Sequence, residues 1–116
     1  AFVDGDEVLG DVLRTQGRAA LPVIVLGEFR YGIAASRHRR AYETWLSDNL
    51  ALFEVLDVTS RTAAVYANLR ADLKRTGRPI PANDAWIAAL ALEHALPVLS
   101  RDAHFDVVAR LKRIAW

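Results

Sequence analysis

Two stretches, nearly adjacent in the chain, decide the fold: Pro81-Ala82-Asn83-Asp84-Ala85-Trp86-Ile87-Ala88-Ala89, and Leu96-Pro97-Val98-Leu99-Ser100-Arg101-Asp102. The first opens a helix, Ala85 to Ala95, whose inner face continues as Ile87, Ala88, Ala91 and Leu92. Asn83 or Asp84 is suited to begin it, since short polar side chains hold the free amides of a first helical turn. The second is a short apolar strand, Leu96 to Ser100, that ends on a carboxylate. On either side of these stretches the same alternation recurs. A strand over Arg18 to Leu21 runs into a helix from Pro22 to about Ala35, with proline favoured in a first turn. Ser36 opens a further helix to about Leu50, and Phe53 to Val58 reads as a strand. Thr59 or Ser60 caps a long helix to Arg75, closed by Gly77, and Arg78 to Pro81 forms a stiff linker. Ala103 to Arg110 reads as helical and Arg113 to Ala115 as a last strand. Upstream, Val8, Leu9, Val12 and Leu13 have helical spacing, which predicts a helix over Asp6 to Thr15. Strands alternating with helices predict an α/β fold, a parallel sheet flanked by helices on both faces.

Composition narrows the function. The 116 residues are 53% hydrophobic and 25% charged, the usage of one globular domain, 1–116. The net charge of +1 excludes a strongly basic nucleic-acid coat but not local basic patches such as Arg37-His38-Arg39-Arg40 and Lys74-Arg75-Arg78. With no cysteine there is no disulfide framework and no thiolate zinc site. The longest apolar runs, Ala19 to Gly27 and Trp86 to Leu92, are well short of the roughly 20 residues of a membrane span. Asp4, Asp6 and Glu7 give the start the wrong charge for a signal peptide, so a cytoplasmic protein is expected.

Three carboxylates are out of place for purely structural work. Glu28 shares a helical face with Leu21, Val25, Phe29, Gly32 and Ile33, so it interrupts an apolar stripe. A lone buried carboxylate is costly unless paired, hydrogen-bonded or metal-bound; a partner such as Arg30 is the plain alternative. Asp84 stands at a helix start, where the dipole alone would explain it. Asp102 follows a strand at its carboxyl end, the place where open α/β sheets bind ligands, although a turn or cap role is equally natural there. Together the three can converge on one cleft. Clustered carboxylates raise one another's pKa and call for a cation. Oxygen ligands suit Mg²⁺ or Mn²⁺, and such metals act on phosphate esters.

These residues also carry a family resemblance. Leu26-Gly27-Glu28-Phe29-Arg30-Tyr31-Gly32-Ile33, the Pro81 to Ala89 stretch, and Leu99-Ser100-Arg101-Asp102-Ala103-His104-Phe105 resemble, in order, the motifs around successive acidic residues of PIN-domain nucleases, specifically the VapC-type toxins of toxin–antitoxin pairs. The resemblance implies a PIN-like parallel sheet and Mg²⁺- or Mn²⁺-dependent RNA cleavage. It implies Asp84, Asp102 and Glu28 as catalytic, metal-holding residues, with Ser100 supporting them by a hydrogen bond. The implied partners are an RNA substrate, a cognate antitoxin and a second copy of the chain, with no membrane. It also implies a first strand ending in an aspartate, which is expected ahead of residue 1, because Ala1 to Glu7 resembles the family segment downstream of that strand. Neither Asp4 nor Asp6 is assigned its role.

Arg101 and His104, beside Asp102, are expected to contact substrate; an ordinary surface role is the alternative for His104. None of the three histidines has metal-ligand spacing. Trp86 lies off the inner face of its helix, which suggests a subunit or partner contact. Two other readings compete. One is an inactive or truncated PIN-like module that only dimerises or holds an antitoxin. The other is a phosphate-accepting receiver-like domain, disfavoured because Lys112 comes too near the C-terminus to follow a late strand.

Overall fold

The computed structural model describes residues 12–15, 18–100 and 102–114. The elements run β1 (Val12–Thr15), β2 (Arg18–Pro22), α1 (Val23–Ala35), α2 (Arg39–Asn49), β3 (Phe53–Leu56), α3 (Ser60–Arg75), α4 (Ala82–Glu93), β4 (Val98–Leu99) and β5 (Arg113–Ile114). Short 3₁₀ turns lie at Leu50–Leu52 and Ala103–Val107. The sheet order is β3-β2-β1-β4-β5. β2 pairs parallel with β3, and β4 with β5. β1 pairs antiparallel with both β2 and β4, so β2 and β4 point the same way. Four strands therefore share one direction and the central one opposes them. The parallel αβ layout expected from sequence holds for those four.

Two expectations for β1 need correction. The helix predicted over Asp6 to Thr15 is a strand at Val12–Thr15; its earlier residues lie outside the described ones. Helical spacing lost because this segment fills the central slot of the sheet, where ladders to two neighbours satisfy its backbone. The second correction is direction. Thr15 pairs with Arg18 across an interval of two residues, and so short a connection forces antiparallel pairing.

Caps and stops explain the helix limits. Thr59 and Thr62 form a reciprocal capping box at the start of α3. Its end is a Schellman closure: Gly77 N–H donates to Lys74 O at 3.2 Å and Arg78 N–H to Leu73 O at 2.9 Å, with Gly77 at φ +70°. α4 ends in the same way, with Leu96 N–H donating to Ala91 O at 2.8 Å, but the left-handed position is Ala95 at φ 53°. A Cβ there costs about 1–2 kcal/mol. Ala95→Gly is therefore expected to stabilise the fold by about 0.5–1 kcal/mol after the entropy that glycine adds to the unfolded chain. An unchanged or lowered melting temperature would show that the position carries no strain.

α4 is the central helix. Ala85, Ile87, Ala88, Ala89, Leu90 and Ala91 are all buried, and its alanines let α3 and α1 approach closely. Leu90 is fully buried and Ile87 nearly so, each contributing roughly 1.5–3 kcal/mol. A second, smaller core joins Phe29 and Ile33 of α1 to Leu46 of α2. Where α3 meets the end of α4, fully buried Thr62 donates to Glu93 Oε1 at 2.6 Å. Trp86 is half-buried and stacks within the chain on Tyr66, with ring centroids 3.7 Å apart. Among the described residues, no helix is long and apolar enough to cross a membrane.

Candidate metal centre

The carboxyl end of β4 and the first turn of α4 supply the site. Pro81 is the N-cap residue of α4, so neither Asn83 nor Asp84 caps it with a side chain. Asp84 instead sits within the first turn, where the helix dipole favours a negative charge. Buried Ser100 accepts, on Oγ, the N–H of Asp102 at 3.1 Å. Asp102 then accepts, on Oδ1, the N–H of His104 at 3.1 Å, which makes it the cap of the 3₁₀ turn. Asp102 thus plays the local cap role while its side chain stays about half exposed.

That turn swings His104 between the two aspartates. Its Nε2 lies 2.6 Å from Asp84 Oδ2 and its Nδ1 lies 2.7 Å from Asp102 Oδ1. One donor atom from each of the three residues falls within 4.8 Å of the others. His104 Nε2 is buried and lacks a hydrogen bond of proper direction despite its closeness to Asp84. A buried nitrogen without a directed partner, beside two carboxylates, is what a divalent cation would satisfy. The donor set fits Mn²⁺ with all three residues, or Mg²⁺ through the two carboxylates and water.

Glu28 departs from its expected setting. It does not interrupt the buried stripe of α1, which is Val25, Phe29 and Ile33; it is exposed one residue around the helix. There it accepts a hydrogen bond from Asn83 Nδ2 at 2.7 Å, which ties α1 to the start of α4 beside Asp84. It is not part of the close triad. Arg101 lies outside the described residues. The bridging place of His104 was missed from sequence; the one available signal was its position two residues beyond Asp102, at the start of a turn. Parts of both basic runs are answered locally, with Arg39 paired to Glu43 and Arg75 to Asp72, each at 2.8 Å.

Arg113 of β5 borders the site. Its Nε and Nη2 donate to the two oxygens of Asp106 at 2.8 and 3.1 Å. That fork holds the Asp106 carboxyl below its usual value and the Arg113 guanidinium above its own. A carboxyl depressed in the folded state stabilises the fold above its unfolded value, about 3.9. The contribution is lost as pH falls through the lower folded value. The stability gap between the parent chain and Asp106→Asn is accordingly expected to close below about pH 4; denaturant unfolding at several pH values checks this, and a gap independent of pH would count against it.

The fold and this carboxyl-edge acidic site define a class. The PIN domain family profile matches residues 3–111, and the chain belongs to the PIN domain family. Its relatives include VapC proteins. It is 39% identical over 90 residues to Ribonuclease VapC5 of Mycobacterium tuberculosis, an alignment covering 76% of this chain and 67% of that protein. Among solved structures it is similar to VapBC-5 of Mycobacterium tuberculosis, a member of the VapBC family of toxin–antitoxin systems, with TM-score 0.71 and 35% identity over 84% of this chain and 81% of that one. VapBC2 of Rickettsia felis, bound to a DNA fragment from its promoter, gives TM-score 0.80 over 99% of this chain and 84% of that one; at 24% identity this likeness speaks for the fold.

Proposed function

We propose that the chain is the toxin of a toxin–antitoxin pair, an endoribonuclease that uses Mg²⁺ or Mn²⁺ held by Asp84 and Asp102, with His104 as a third donor. The observation that carries this reading is the Asp84–His104–Asp102 cluster at the carboxyl end of β4. Relatives named as VapC ribonucleases and toxin–antitoxin structures support the RNA substrate and the antitoxin partner. When bound, the cation would polarise the scissile phosphate and lower the pKa of an attacking water.

The residues divide the remaining work. Asp84, whose side chain is 20% exposed, is the inner anchor. Asp102, at 54%, is the more exposed of the two, and we assign it the proton of the attacking water. Ser100 holds the backbone that aims Asp102. Glu28, held by Asn83, contributes negative charge at the rim. The alternative is an inactive or truncated PIN-like module that only dimerises or holds an antitoxin.

RNA cleavage by the purified chain in Mn²⁺ and in chelator separates the two. Cleavage that needs the metal supports the ribonuclease. A folded chain that neither binds Mn²⁺ nor cleaves counts against the ribonuclease reading of this chain, and repeating the assay with the expected first strand restored separates a truncated nuclease from a binding module.

A further inference from the structure

We propose that Arg113 and Asp106 are positioning residues for the turn that carries Asp102 and His104. This rests on the reading of those residues as a metal site. The turn leaves β4 at Ser100, and its internal bonds, Ser100 to Asp102 and Asp102 to His104, shape it only relative to Ser100. Apolar anchoring comes from Phe105, buried in the main core, and polar anchoring comes from β5. Ser100 N–H donates to Ile114 O at 3.1 Å, and Arg113 Nη1 donates to Ser100 O at 3.1 Å. The same guanidinium clasps Asp106 with Nε and Nη2.

One rigid, planar group therefore spans the turn from its first residue to a point past His104. The Arg113 side chain is only 19% exposed, so this is no loose surface pair. Lysine cannot reproduce it, because its donors radiate from one nitrogen, whereas here three separate guanidinium nitrogens reach Asp106 and Ser100. Metal donors must be held to within about 0.5 Å to keep a site formed. Freeing the turn lets Asp102 and His104 drift from Asp84, which sits on a different element. Loss of such supporting contacts typically weakens metal binding about 10–100-fold.

Amide hydrogen exchange and Mn²⁺ calorimetry on the full chain test this. In Arg113→Met, exchange at the Asp102 and His104 amides is expected to quicken about tenfold, while Leu90 and Ala91 in α4 keep their rates; the Mn²⁺ Kd is expected to rise about 10–100-fold. Arg113→Lys is expected to restore neither. Asp106→Asn, a change at an exposed side chain, carries the same test if Arg113→Met fails to fold, with smaller shifts in the same two readouts. Turn amides that exchange at parental rates, or that quicken only in step with α4, would overturn the positioning role. A parent chain that binds no Mn²⁺ would instead remove the metal reading, and the exchange rates would still decide whether Arg113 holds the turn.

Discussion

Asp84→Asn is expected to lower metal-dependent RNA cleavage by about a hundredfold or more while leaving the chain folded. Losing contacts that merely orient a metal ligand already costs about 10–100-fold, and Asp84 is proposed as a direct ligand. Asparagine keeps the shape but gives a neutral oxygen in place of a charged one. Stability should hardly move, for two opposing reasons. Removing a negative charge from the first turn of α4 costs about 0.3–1 kcal/mol. Removing it also relieves repulsion from Asp102, which shares His104 with it. Cleavage assays with thermal unfolding on the same samples check both halves. Undiminished cleavage would refute the assignment of Asp84, and a collapse of the fold would mean that the residue serves structure first.

Phe105→Ala is expected to have the largest effect on stability. The ring is 1% exposed in the main core, between His104 and Asp106 in sequence. Truncating a buried Phe costs about 3–5 kcal/mol, against a typical total of 5–15. For a domain of this size that lowers the melting temperature by on the order of 10–20 °C. Because this ring pins the turn to the core, Mn²⁺ affinity should fall with it, even at temperatures where the variant is folded. Leu46→Ala, in the separate core between α1 and α2, should lose stability without losing metal affinity. If both variants lost affinity alike, Phe105 would have no particular link to the site.

Much of the architecture was readable because its signals are local. Thr59 as a cap, Gly77 as a stop and the apolar run behind Pro22 each rest on a few neighbouring residues, and the structure has them where expected; the helix expected from Ala85 starts earlier, at Ala82, with Pro81 as its N-cap residue. Asp84 and Asp102 stand out through their places at a helix start and a strand end, and those places bring them together. What escaped depends on distant partners. Val12–Thr15 became a strand because a gap between β2 and β4 needed one, which no window of local sequence records. Glu28 was assigned to the wrong face because α1 is apolar on several sides, and a stripe through residue 28 looked as good as the true one through Val25, Phe29 and Ile33. The bridging of His104 and the Asp106–Arg113 fork arise from a tight turn whose path cannot be counted off in helical or strand periods.

The ribonuclease reading depends on Asp84 and Asp102, with His104 beside them, holding a divalent cation. Paramagnetic broadening is the sharpest test: Mn²⁺ is added in small fractions to the nitrogen-labelled chain, and the loss of each amide signal is followed. A cation at these residues predicts that the amides of Asp84, Asp102 and His104 vanish first, with Ser100 and Ala85 next, and that Thr62 and Glu93, where α3 meets the far end of α4, fade last. Broadening that begins elsewhere, or that spreads evenly over the exposed acidic residues, would contradict it.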